Sequence, residues 1–358
     1  MLDYSRNVIV RKFRVLLGQT ALYRIDLCPL FLRHAQYHKQ RTGFSPRITG
    51  FSPGYELPAV GAIRCEAAHM STVRPLWRIP LIVARERRHP TGRERIPEPM
   101  VMDDPESVAQ FHAGGASNPG QQAVYDFSAR ALDALLPQGA RLLDLGVGSG
   151  RALSALLRRR PDVHATAVDL APNMLATAQE LFVAERLDNR VELVEADITA
   201  LPNRLVTADW DGVSCVWTLH QLPDHDVLRA AIRQIAALRR KSGAAVWIFD
   251  FQRLNDPLAF AALVSCVDPS IPPVLRKDAL ASEAAGFTRA ELKAELTAAG
   301  LDNTRSSHAR PLPYLQAHWV SAKNADLNGP SQIQGRPLRG RARRDAALLR
   351  WGFTAKPF

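Results

Sequence analysis

Between residues 120 and 325 the chain alternates two apolar patterns, short continuous runs and longer stretches with a single apolar stripe. The short runs are the start of Arg141 to Arg151, Val163 to Asp169, Val191 to Asp197, the start of Asp211 to Leu222, and Ala244 to Asp250. Apolar runs of this length, bounded by glycines and acids, predict strands buried on both faces. The striped stretches are Gln121 to Leu136, Ala152 to Arg160, Ala171 to Arg186 and Asp226 to Lys241; in the last, Leu228, Ile232, Ile235 and Leu238 share one helical face. That spacing predicts amphipathic helices. Phe287 to Gly300 predicts a further helix, with Thr288 as N-cap, Glu291 closing a capping box and Gly300 as the stop. Strands alternating with helices predict an α/β fold, a doubly wound and mostly parallel sheet with helices on both faces. In such sheets ligands bind at the carboxyl ends of the strands.

The first run breaks into chemistry. Arg141 to Arg151 reads RLLDLGVGSGR, a strand followed by glycines at 146, 148 and 150. Glycines there let the backbone take positive φ and leave no Cβ between chain and ligand, as a nucleotide-cofactor turn requires. A dinucleotide turn needs its third small residue one place later, where this chain has Arg151. Asp144 would also repel a pyrophosphate, but it suits a ligand carrying an ammonium and a sulfonium. S-adenosylmethionine is such a ligand.

With its acidic residue, spacer and G-x-G-x-G, the chain here resembles the class I (Rossmann-like) SAM-dependent methyltransferases, and the likeness continues in order downstream. It implies that Asp144, Gly146, Gly148 and Gly150 contact the cofactor and that Asp169, ending the second run, takes both ribose hydroxyls. Leu170 to Met174 matches the family's D-x-S-x-x-M-L pattern with Ala171 in the serine place, which implies that Leu170 is among the cofactor-binding residues and that Met174 packs against the adenine. Asp197 with Ile198 matches the adenine-edge pair. The segment after the fourth run often holds two histidines in this family; this chain has His220 followed by Gln221. Asn303 to His308 and Leu315 to Ala322 suit the antiparallel last pair of strands that the family has. The resemblance spans about residues 120 to 325 and implies an enzyme that moves a methyl group from S-adenosylmethionine to an acceptor by in-line displacement.

For the acceptor, His220 is the first candidate for a general base, the alternative being a hydrogen bond to its own loop, and Asp250 is a second base, a substrate anchor or a cap. Trp217, on the cofactor side, and Phe251 predict an aromatic-walled pocket, which favours a small organic acceptor over a polymer. Tyr125 is a candidate for the methionine end, while His112, His308 and His318 rank lower. Asp103 to Tyr125 predicts a lid, and Gln252 to Gly286, with prolines at 257, 269, 272 and 273, an insert capping the substrate.

Composition changes the picture at the ends. The chain of 358 residues has a formal net charge of +11, but the basic excess lies outside the middle segment, which holds more acids than bases. A nucleic-acid enzyme carries its basic footprint on the folded domain, so no nucleic-acid partner is expected. Residues 1–69 lack a sustained period and are expected to be unstructured, or an upstream extension of the reading frame ahead of Met70. Residues 70–119 read as a basic segment and lid, 120–326 as the catalytic domain with its insert at 252–286, and 327–358 as a basic disordered tail in which Ala346 to Trp351 could form a short helix. Val15 to Leu32 is interrupted by Arg24 and Asp26, so no membrane span is expected. Cysteines 28, 65, 215 and 266 make no C-x-x-C pair, which argues against a metal site and for a reduced, cytoplasmic protein. Nothing in the sequence assigns an oligomeric state. Two alternatives stay open: a methyltransferase-like protein that binds the cofactor without catalysis, and a NAD-dependent oxidoreductase, which Asp144 and the displaced glycine disfavour.

Overall fold

The computed structural model describes residues 75–99, 102–269, 271–323 and 337–358. The expectations for residues 1–69 lie outside the described residues. Helix α1 (Ile79–Arg88) follows a single 3-10 turn, and α2 (Pro105–Ser117) and α3 (Pro119–Leu135) come next. Both α2 and α3 start the same way. Asp104 accepts from Ser107 N, Asn118 accepts from Gln121 N, and proline occupies the first helical position, where its missing N–H costs nothing.

The strands are β1 (Arg141–Leu145), β2 (His164–Asp169), β3 (Val191–Glu195), β4 (Gly212–Val216), β5 (Ala245–Phe251), β6 (Arg305–His308) and β7 (Leu315–Val320). They form one sheet in the order β3-β2-β1-β4-β5-β7-β6. All pairs are parallel from β3 to β5, and β7 runs antiparallel to both β5 and β6. The connecting helices are α4 (Arg151–Arg159), α5 (Pro172–Ala184), the short α6 (Asn203–Thr207) and α7 (His225–Ser242). After β5 come α8 (Ala259–Val267), α9 (Pro273–Ala285) and α10 (Arg289–Ala298), the last carrying the expected Thr288–Glu291 capping box.

Each face of the sheet buries its own layer. Phe127, Leu142, Trp247, Phe249 and Trp319 lie on one side, and Leu143, Val213, Ile232, Ile235, Ile248 and Phe287 on the other. The strand order reverses between β1 and β4, which opens a crevice at their carboxyl ends.

The tail corrects the sequence reading. Residues 340–352 form helix α11 (Gly340–Gly352), which packs along α3, and Phe353 beyond it is buried against Phe127 at 4.6 Å and Phe249 at 5.8 Å between ring centroids. The expectation of disorder was drawn from the arginines, but Arg343 and Arg344 are exposed while Arg341 pairs with Asp268 at 2.9 Å. Ala342 and Ala346 turn inward, Leu349 packs against the core, and Arg350 reaches Asp126 on α3 at 3.1 Å. An apolar stripe of small residues buries little per residue and is drowned by charge in any count of composition.

Candidate active site

The turn after β1 is shaped by what touches it. Gly146 has φ +75°, and a Cβ there would sit 2.2 Å from the Thr218 side chain, whose hydroxyl donates to Gly146 O at 3.2 Å. Gly150 has φ +80°, and a Cβ would meet the Phe182 ring at 2.8 Å, so this glycine serves helix packing and is not on the cleft wall. Gly148 has φ +52° and nothing within 4 Å of the place a Cβ would take. Gly146 and Gly148 both line a cleft that opens to solvent.

Asp169, at the tip of β2, leans over the same turn. Its carboxylate accepts from Gly148 N at 2.7 Å and from Ala171 N at 3.0 Å. Burial raises its pKa, while these backbone donors pull the other way. Leu170, Met174, Asp197 and Ile198 line the cleft beside it, and Met102 and Phe111 close it from the lid side. The lid is fastened by Asp103, which accepts from Asn173 N and, through its carbonyl, from Asn173 Nδ2, both at 2.8 Å.

Asp144 differs from the expectation that it faces a ligand. It is 6 % exposed, sits opposite Ser214 in the β1–β4 register, accepts from the Ser214 hydroxyl and is not on the cleft wall. Its pKa is pushed up to about 6, chiefly by burial, with Asp169 adding to the rise and the Ser214 bond opposing it. Between the ordinary carboxylate value and about 6 the folded state therefore binds a proton that the unfolded chain lacks, so folding stability falls as pH rises through that window. Urea unfolding of Asp144→Asn is expected to lack this share of the slope, on the order of 2–3 kcal/mol between about pH 4 and 6. Equal slopes in the variant and the wild type would refute it.

At the tip of β4, Trp217 takes φ +56°, a strained value for a bulky residue. That backbone turns the indole into the cleft wall, where it stacks on Phe251 at 5.6 Å and 8° and meets Tyr125 edge-on at 5.8 Å. Backbone strain at a cleft wall points to a function for the side chain it aims. The 3-10 turn Leu219–Gln221 follows. His220 and Asp250 do come together: His220 Nδ1 is 2.6 Å from Asp250 Oδ1, and Asp250 also accepts from the backbone N–H groups of His220 and Phe251. Neither is on the cleft wall, where Gln221 and Leu222 stand instead, and His220 meets Phe251 edge-on at 5.4 Å. Burial works against the charged imidazole, but Asp250, with Glu98 and Asp278 farther off, outweighs it and raises the His220 pKa.

Several residues of the site escaped the sequence reading. Arg151, read only as the residue that spoils a dinucleotide turn, lines the cleft and donates to the His112 carbonyl at 2.7 Å, joining α4 to the lid. His112 itself leaves Nδ1 without a partner among the described residues. His308 and His318 lie on β6 and β7, away from the cleft wall. Arg95, in the extended segment before the lid, donates to the carbonyls of His220, Leu222, Pro223 and Ala285 and lies over the Phe287 ring at 4.1 Å. No periodicity marks a residue whose partners are backbone carbonyls from another part of the chain. Among the described residues no group of His, Cys, Asp or Glu is arranged to hold a metal ion, and no helix is long and apolar enough to cross a membrane. Cys215 and Cys266 are buried and free.

Residues 142–243, which contain the glycine turn, Asp169, Asp197 and His220, match the family model described as Methyltransferase domain. This stretch of the chain is therefore similar to a methyltransferase domain. The matched residues run from β1 through α7 of the doubly wound sheet. The chain is 27 % identical over 247 residues to the ubiquinone biosynthesis O-methyltransferase of Xylella fastidiosa (strain M23), covering 67 % of this chain and 94 % of that one. It is 35 % identical over 132 residues to the enzyme of the same name from Xanthomonas axonopodis pv. citri, covering 36 % of this chain and 50 % of that one. The chain thus spans about half the length of some curated relatives it matches and nearly all of others. Among solved structures, a SAM-dependent methyltransferase from Aquifex aeolicus superposes with TM-score 0.42 and 16 % identity, over 61 % of this chain and 98 % of that one.

Proposed function

We propose that this protein transfers a methyl group from S-adenosylmethionine to a hydroxyl of a small organic acceptor. The observation that carries the reading is the cleft at the β1–β4 reversal, where Gly148 leaves an open cradle beside the Asp169 carboxylate within the stretch similar to a methyltransferase domain. The cofactor, when bound, supplies an electrophilic methyl group on a sulfonium.

The chain's own residues do the rest. Asp169 would accept from the ribose hydroxyls, Asp197 and Ile198 would meet the adenine edge, and Leu170 and Met174, on the same cleft wall, would help hold the cofactor. Gly146 and Gly148 let the backbone approach, and Gly150 holds α4 against α5 by admitting Phe182. Asp144 acts from beneath the turn, through Ser214 and the β1–β4 pairing, as a source of negative field. Trp217 and Tyr125 wall the methionine end. Catalysis then comes from orientation, because the acceptor atom must lie in line with the breaking bond. Trp217 and Phe251, stacked face to face, offer an aromatic wall for a flat acceptor, and the buried His220–Asp250 pair packs against its Phe251 side. The O-methyltransferase names of the relatives support oxygen as the acceptor atom. Free, buried Cys215 and Cys266 support a reducing, cytoplasmic setting.

Calorimetric titration of the full chain with S-adenosylhomocysteine, and separately with NAD, tests the reading. Saturable binding of the homocysteine product alone is the expected result; binding of NAD in its place would overturn it.

A further inference from the structure

The segment 92–99 is held in an unusual way. Its apolar side chain Ile96 is 63 % exposed, so little hydrophobic burial fastens it. Polar clamps do so instead. Arg93 pairs with Glu283 at 3.0 Å, Arg253 donates to Arg93 O at 2.9 Å, and Arg95 takes its set of carbonyls around the His220 turn. What this fastening delivers is Glu98. Its Oε2 lies 3.8 Å from His220 Nε2, and its carboxylate accepts from the Ser282 hydroxyl at 3.2 Å.

His220 is thereby bracketed by carboxylates, Asp250 on Nδ1 and Glu98 on Nε2. Asp250 already accepts backbone N–H groups, so Nδ1 is assigned as a donor to it. A neutral imidazole would then point the Nε2 lone pair at Glu98, setting one acceptor against another. A proton on Nε2 removes the conflict, and an imidazole protonated on both nitrogens has no lone pair for an acceptor's proton. The charged groups facing the ring are consistent with this state: Asp250 from β5, Glu98 from the clamped segment, Asp278 from α9, and the Arg95 guanidinium only on the backbone carbonyl. Access to water separates the carboxylates. The His220 and Asp250 side chains are 4 % and 3 % exposed, and Glu98 is 14 % exposed, so Glu98 has the more open path to solvent. Burial, with Asp278 adding to it and His220 opposing, raises the Glu98 pKa and so strengthens it as a base.

We propose that Glu98 is the proton acceptor of this site, with His220 as its charged neighbour 3.8 Å away and Asp250 as the brace that holds the ring. The proposal rests on the methyl-transfer reading. In the step, the acceptor O–H gives its proton to the Glu98 carboxylate and the electron pair stays on oxygen. That oxygen forms the new O–C bond while the S–C pair departs to sulfur, leaving a neutral thioether and a carboxylic acid. Glu98 then loses its proton to water.

Full-length protein labelled with ¹³C and ¹⁵N at histidine and glutamate tests this by NMR titration, His220 being assigned by the resonance missing in His220→Gln. In the wild type, Glu98 is expected to titrate above the exposed glutamates. In Glu98→Gln the His220 midpoint is expected to fall, and Glu98→Asp, which keeps the charge, is expected to restore part of the difference. S-adenosylhomocysteine binding, measured in the same samples, is expected to be equal in all three. An unmoved His220 midpoint, or a wild-type Glu98 titrating with the exposed glutamates, overturns the proposal while product binding stands. Failure of the wild type to bind the product overturns the methyl-transfer reading and the proposal with it.

Discussion

Replacing Asp169 by alanine is expected to lower the affinity for S-adenosylhomocysteine by at least about 100-fold, measured by calorimetry. The carboxylate would accept from two ribose hydroxyls, and hydrogen bonds to a charged group contribute about 1.5–3 kcal/mol each, so losing both costs about 3 kcal/mol or more. The loss reaches beyond the ribose. Asp169 also accepts from Gly148 N and Ala171 N, so alanine leaves both amides without that partner and frees the glycine turn to move. Asp169→Asn keeps one carbonyl oxygen for these amides and is expected to lie between alanine and the wild type. Near-wild-type affinity in the alanine variant would show that the ribose does not bind at this carboxylate.

The second large effect lies far from the cleft. Phe353→Ala is expected to destabilise the fold by about 3–5 kcal/mol, the usual cost of removing a buried aromatic ring. Phe353 is 3 % exposed and fills the angle between Phe127 on α3 and Phe249 on β5, so the cavity would open in the main core and could not collapse without shifting the sheet. Urea unfolding followed by tryptophan emission reads the loss, and Trp247 in the same cluster is a suitable reporter. A change below about 1 kcal/mol would mean that the tail does not pack as described. The size of this effect is what separates a structural tail from the loose one its arginines suggest.

Much of the domain was legible in the order of residues because the relevant physics is local. A buried parallel strand must be apolar throughout, a helix on its face needs one stripe, and a turn that takes positive φ strongly favours glycine. The capping box at Thr288 and Glu291 could be read for the same reason, since both partners lie within one turn of chain. Asp169, Asp197 and Trp217 were legible as strand-tip positions, and the tips of neighbouring parallel strands converge on one crevice whatever their loops do.

Other parts depend on separations that no pattern carries. Asp144 stands at the expected strand position, yet the register of β1 against β4 gives its carboxylate to Ser214, 70 residues away, rather than to the cleft. Arg95 and Glu98 lie in a stretch with no period, and only folding brings them 125 and 122 residues along the chain to His220. Gly340 to Phe353 looks like a basic tail until α3 supplies the surface that its small apolar stripe covers. The sequence by itself determined the doubly wound sheet, the glycine turn and the kind of cofactor that turn admits, because each follows from backbone sterics and side-chain periodicity within a few residues. The tertiary structure alone decided which carboxylates stand around His220 and where the chain's tail is buried, because those depend on distances between groups remote in sequence.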